Sequence, residues 1–145
     1  MNRSQSYIGA RNGVVLCIDS YDKGRTTGYL YHGYNKDAKK IFSFEEMIFY
    51  MEDFFNEISF PFPGTEERTF REVKKNENKK ERMIKVMEDE ELLKKHGDKG
   101  TFIIRVQQRQ HSSWQGLVTW VDEDKTVPFR SALELIKLID GALGE

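Results

Sequence analysis

Cys17 is the only thiol of the chain, and His32 is the first of its three histidines. Cys17 stands in the apolar run Gly13–Ile18, and the polar stretch Asp22-Lys-Gly-Arg25 turns the following segment, Thr26 to Gly33, back against it. A thiol facing an imidazole across a hairpin is the smallest nucleophile–base pair. A small enzyme with its site near Cys17 and His32 is therefore one function class to test. Such a base also needs a third group to orient it, and the sequence offers none nearby. A cysteine alternating with Val15 on an apolar strand reads more simply as a buried thiol.

Other reactive patterns are missing. His32, His96 and His111 do not stand at metal-ligand spacing with one another, with Cys17 or with paired carboxylates. The chain has no glycine-rich phosphate loop. No metal or cofactor is expected.

Arg105, Gln107 and Arg109 alternate with Ile104, Val106 and Gln108, which places three long donors on one face of a strand. His111, Trp114, Gln115 and Trp120 follow on the next turn and strand. Arginine beside tryptophan makes a stacking platform, each cation–π contact contributing about 0.5–2 kcal/mol. These seven residues are the candidate binding site, for a partner's loop, a sugar ring or a single nucleic-acid strand. The alternative is structural: the tryptophans cap the core and the arginines pair with glutamates.

The elements that position these residues are clearest between Thr101 and Glu145, which read as strand, turn, strand, turn, short strand and helix. Ser131-Ala-Leu-Glu134 is a capping box, its hydroxyl meeting the third-residue amide and its glutamate reaching back to the serine amide. Shifted by 88 residues, the pattern recurs: Gly28 falls on Gly116, Ser43 on Ser131 and Glu46 on Glu134. Ser43-Phe-Glu-Glu46 is then a second capping box, and Met47, Ile48, Tyr50, Met51 and Phe55 overlay Leu135, Ile136, Leu138, Ile139 and Leu143. Few paired residues are identical; the correspondence lies in the pattern and the caps. The rings of Phe44, Phe49, Tyr50, Phe54 and Phe55 exceed one stripe, which predicts a first helix covered on two sides.

Between the two units the chain is mostly charged. Pro61 and Pro63 end the first helix, and Thr65 to Lys80 reads as a loop or exposed strand. Glu81 to His96 reads as a helix with Met83, Ile84, Met87, Leu92 and Leu93 on a partial face, ending on Lys94-Lys-His-Gly97.

At 145 residues the chain is expected to form one domain with a sizeable core. A net charge of −1 leaves no electrostatic footprint for duplex nucleic acid. The lone cysteine gives no support for an oxidising compartment. The opening residues carry no apolar leader, and no stretch has the length of a membrane span. A cytoplasmic location without membrane attachment is the expectation.

The segment Gln110-His-Ser-Ser-Trp-Gln-Gly116, followed by Phe129-Arg-Ser-Ala-Leu-Glu-Leu-Ile136, resembles a family of short proteins from clostridial and related Firmicutes genomes. The resemblance implies a bacterial origin and carries no assigned activity or catalytic residues.

The reading is one α+β domain of internally duplicated β-β-β-α units, over 13–57 and 101–145, with a charged insert with a helix over 58–100. The units form an antiparallel sheet with both helices packed on one face. The expected function is a non-catalytic binding or regulatory module that engages a protein partner through a sheet face or the insert. Single-stranded nucleic-acid binding on the Arg/Gln/Trp face and the small enzyme near Cys17 and His32 are the alternatives.

Overall fold

The computed structural model describes residues 13–22, 25–58, 70, 87, 89–109 and 114–144. In chain order these form β1 (Val14–Asp22), β2 (Arg25–His32), β3 (Asn35–Ile41), α1 (Phe44–Ile58), the one-turn α2 (Asp89–Leu92), β4 (Gly100–Gln108), β5 (Gln115–Trp120), β6 (Lys125–Phe129) and α3 (Ala132–Leu143). The strands make one six-stranded antiparallel sheet in the order β3-β2-β1-β4-β5-β6. The chain is therefore of the α+β class.

Each half is a meander of three strands followed by a helix, and the two halves keep the same register. Ile18 pairs with Gly28 and Val106 with Gly116; Gly28 pairs with Ile41 and Gly116 with Phe129. Each first strand bulges at the same place, between Ile18 and Ser20 and between Val106 and Gln108. At the join, Val15 faces Ile103, Val14 faces Ile104 and Leu16 faces Phe102. Exchanging the halves maps the last two pairs onto each other and the first onto itself, so a local two-fold axis passes between Val15 and Ile103.

Gly28 and Gly116 are glycines because the neighbouring strand lies too close for a side chain. A Cβ would stand 2.2 Å from the Cys17 carbonyl oxygen at one site and 2.0 Å from that of Arg105 at the other. The halves differ in their second turns. His32 pairs with Asn35 across a tight turn, whereas Trp120 pairs with Lys125 across a 3-10 turn, Val121–Glu123, and Asp124, at φ 59°.

Both helices begin at their serines. The Ser43 hydroxyl accepts the Glu46 amide at 3.2 Å and the Ser131 hydroxyl accepts the Glu134 amide at 3.0 Å. The two glutamates reach one residue further back than a capping box requires, to the amides of Phe42 and Arg130. Met47, Met51, Phe54 and Phe55 of α1 and Leu135 and Ile139 of α3 bury against Leu16, Ile18, Ile104 and Val106 on one sheet face. Each such side chain contributes about 1.5–3 kcal/mol relative to exposure. The first helix is not covered on two sides: Phe49 is 66% exposed, and Phe42 just before it is 59% exposed.

The other sheet face carries Val15, Cys17 and Ile103 beneath Met87 and Leu92. Of the helix expected over 81–96, the described residues show Asp89–Leu92 as helix, and residues 81–86 and 88 lie outside them. The chain must straighten there to enter β4. The Lys94 and Lys95 amides close on Glu91 and Leu92 in tight i→i+3 bonds, and the Gly97 amide donates to Thr101 Oγ1 at 3.0 Å. Gly97 thus marks a close approach to β1, where a Cβ would meet Ile18 N at 2.4 Å, and not the end of a helix. The stretch 65–80, read as loop or strand, lies outside the described residues apart from Phe70.

Candidate binding clefts

The proposed nucleophile and base do not meet. Cys17 packs with Val15 and Ile103 on the face covered by Met87 and Leu92. His32, opposite Val14, stacks on Phe54 of α1 at 3.8 Å on the helix face. The sheet separates them, so they form no catalytic pair. Burial and the Asp19 carboxylate push the Cys17 thiol up to about 12, which removes thiolate nucleophilicity at neutral pH. Burial holds His32 down to about 4. Its Nδ1 accepts the Tyr34 amide at 3.1 Å and is therefore unprotonated.

The seven platform residues are also divided. Arg105 stays on the face of Ile103, where its guanidinium donates to Thr119 Oγ1 at 3.4 Å. Gln107 is exposed, at the bulge. The bulge resets the alternation, so Arg109 turns to the helix side and is only 2% exposed. There its Nη1 lies 3.2 Å from Glu52 Oε1 and donates to Asn56 Oδ1 at 3.0 Å, with its guanidinium 5.5 Å from the centre of the Phe55 ring. Trp114 is 5% exposed, donates its Nε1–H to the same Glu52 oxygen at 3.2 Å and meets Phe55 edge-on. Gln115 donates to the Arg130 carbonyl at 3.4 Å. His111 lies outside the described residues. Arg109 and Trp114 thus fasten α1 to the second half, and the expected Arg–Trp stack is replaced by an Arg–Phe contact.

Trp120 belongs elsewhere, in a cleft of about 380 Å³ between β5, β6 and α3. Phe102, Val118, Val127, Leu138, Ile139, Gly141 and Ala142 line it, with Lys125 and Lys137. Trp120 stacks on Phe102 with ring centres 6.4 Å apart. A second cleft, of about 370 Å³, lies between β2, β3 and α1. Its lining occupies the same positions one unit earlier: Val14, Leu30, His32, Asp37, Lys39, Tyr50, Met51, Asp53 and Phe54 stand where the other has Phe102, Val118, Trp120, Lys125, Val127, Leu138, Ile139, Gly141 and Ala142.

Their chemistries differ. Asp37, Asp53, Glu57 and Asn35 make the first cleft polar and mostly acidic, with the Lys39 ammonium 4.8 Å from the centre of the Tyr50 ring. The second is apolar, and its charged lining residues are both lysines. Neither cleft contains a nucleophile with an adjacent base. Among the described residues, no group of three or more His, Cys, Asp or Glu is placed to hold a metal ion.

These clefts were missed because each is set by the gap between a helix and the outer strands of its own unit, a distance that no motif encodes. The available signal was the 88-residue correspondence, which pairs Trp120 with His32 and Lys125 with Asp37. Comparison with known protein families, curated proteins and solved structures finds no match. Among the described residues no helix is long and apolar enough to cross a membrane.

Proposed function

We propose that the chain is a non-catalytic binding module, built from two copies of one β-β-β-α unit, whose small ligands enter the clefts between each helix and its own outer strands. The observation that carries this reading is the equivalence of the two clefts: the same positions stay open in both halves while their chemistry changes. An open cleft forfeits packing that a filled one would make. Each volume lies within the roughly 300–1,000 Å³ of small-molecule sites.

Other surfaces fit binding less well. The edge strands β3 and β6 resist strand addition, since β3 carries Lys39 and Lys40 and β6 carries Pro128, which has no N–H to donate. The central sheet face is covered at Val15 and Ile103, and the residues of the nucleic-acid platform do not share it. A screen of small-molecule fragments by melting temperature tests the proposal. Hits should divide into two classes, one lost in Asp53→Leu and the other in Gly141→Leu. Hits that persist in both variants contradict it.

A protein partner is the second reading, favoured by the exposed rings of Phe42 and Phe49 at the start of α1. It predicts that Phe42→Ser with Phe49→Ser abolishes partner capture while Gly141→Leu leaves it intact.

A further inference from the structure

The cleft beneath α3 differs from its twin in sign as well as polarity, and the difference identifies a class of ligand. Lys125 stands at the start of β6 and Lys137 in the middle of α3, so one lysine rises from each wall. Both are exposed, and neither is in a salt bridge among the described residues, although the Lys137 charge also acts on Glu134, one turn before it on α3. The neighbouring carboxylates are turned to other partners. Asp122 accepts the Thr101 amide at 2.8 Å, Asp140 accepts the Tyr21 hydroxyl, and Glu134 pairs with Arg130 at 3.3 Å. Glu123 and Asp124 stand in the preceding turn and are not among the lining residues.

The interior is shaped for an apolar chain. In the first cleft the Phe54 ring stacks on His32; at the matching positions the second cleft has the small Ala142 beside Trp120. At Gly141 an added Cβ would meet nothing within 4 Å. An apolar interior beneath two like charges fits a molecule with one apolar and one negative end, since burial supplies the affinity and the rim charges orient the head group.

We infer that this cleft binds an amphiphilic anion, a flexible hydrocarbon chain bearing a single anionic head such as a medium-chain carboxylate. The chain lies against Trp120, Val118 and Leu138, and the head meets Lys125 and Lys137 at the rim. This rests on the reading of the clefts as ligand sites and adds the ligand's charge and shape.

Calorimetric titration of the intact protein with decanoate, decanol and decylammonium, below micelle-forming concentrations, tests it. Decanoate should saturate one site and bind most tightly of the three. Its affinity should fall about tenfold when Lys125→Ala and Lys137→Ala are combined and should also fall as salt is raised, while decanol should ignore both changes. Gly141→Leu should abolish decanoate binding without lowering the melting temperature, because it places a strong helix former in open space. If decanoate and decanol bind equally and both are indifferent to the lysines, recognition of the anion is overturned and the cleft remains an apolar site. Tightest binding of decylammonium overturns the inference in the same way. Failure of all three to saturate, or binding unchanged in Gly141→Leu, overturns the cleft reading with it.

Discussion

Arg109 of the second half meets Glu52 of the first helix at 3.2 Å, and the same positions in the other half are Tyr21 and Asp140, whose hydroxyl and carboxylate are hydrogen-bonded. Each helix is thus fastened, through one carboxylate, to the opposite half at or just past the end of its first strand. The two fastenings differ in depth, since Arg109 is buried and Tyr21 is partly exposed.

Glu52→Ala removes the carboxylate beside the buried Arg109 guanidinium and the acceptor of Trp114. The expected loss of stability is about 2–3 kcal/mol, below the full value for a buried pair because Glu52 keeps some solvent contact. Asp140→Ala should cost less. Denaturant unfolding of the two variants checks the order, and a larger loss at Asp140 contradicts it.

The serine caps give a second comparison. Ser43→Ala and Ser131→Ala should each cost about 0.5–2 kcal/mol. Their hydroxyls serve separate helices, so the double variant should lose close to the sum. Urea midpoints of the three variants measure this. A negligible loss at Ser43 contradicts the equivalence of the two helix starts.

Gly28→Ala and Gly116→Ala test the bulged pairing. In both, the new methyl group meets a backbone carbonyl oxygen, at 2.2 and 2.0 Å, which no side-chain rearrangement relieves. Each should cost at least about 1–3 kcal/mol, the ordinary range for overpacking. Thermal unfolding that leaves either variant at wild-type stability contradicts the described register.

His32 makes stability depend on pH. Burial lowers its pKa from 6.5 to about 4, so between these values the unfolded chain binds a proton that the folded chain does not. The contribution is complete above pH 6.5 and is lost as pH falls toward 4. Discounted for the ring's partial exposure, it amounts to about 2 kcal/mol. His32→Phe keeps a ring against Phe54 and should flatten this part of the pH–stability curve. An unchanged slope assigns the dependence to other groups.

Much of the architecture was written in local pattern. The two serine caps and the pair Gly28 and Gly116 are short-range features, and each recurs at the same offset. What alternation alone missed is the bulge after Val106: by shifting the side-chain period it sends Arg109 under α1, away from Arg105. At the end of the insert tertiary contacts override the local pattern. Its apolar spacing suits a helix, but Gly97 must press against Ile18 and the chain must enter β4 at Gly100, so tertiary contacts end the helix at Leu92. Cys17 and His32 are neighbours along a hairpin and strangers across the sheet, a distinction set by the register of Cys17 with Tyr29.

The central claim, that the clefts are the binding surface, is tested most directly by amide chemical-shift mapping of the intact protein titrated with decanoate. The account predicts shifts concentrated at Lys125 to Val127, at Lys137 to Ala142 and at the Trp120 indole, with little change at Val15, Cys17, Ile103 or Arg105. Saturable shifts centred on those last four residues, or on Phe42 and Phe49, would contradict it.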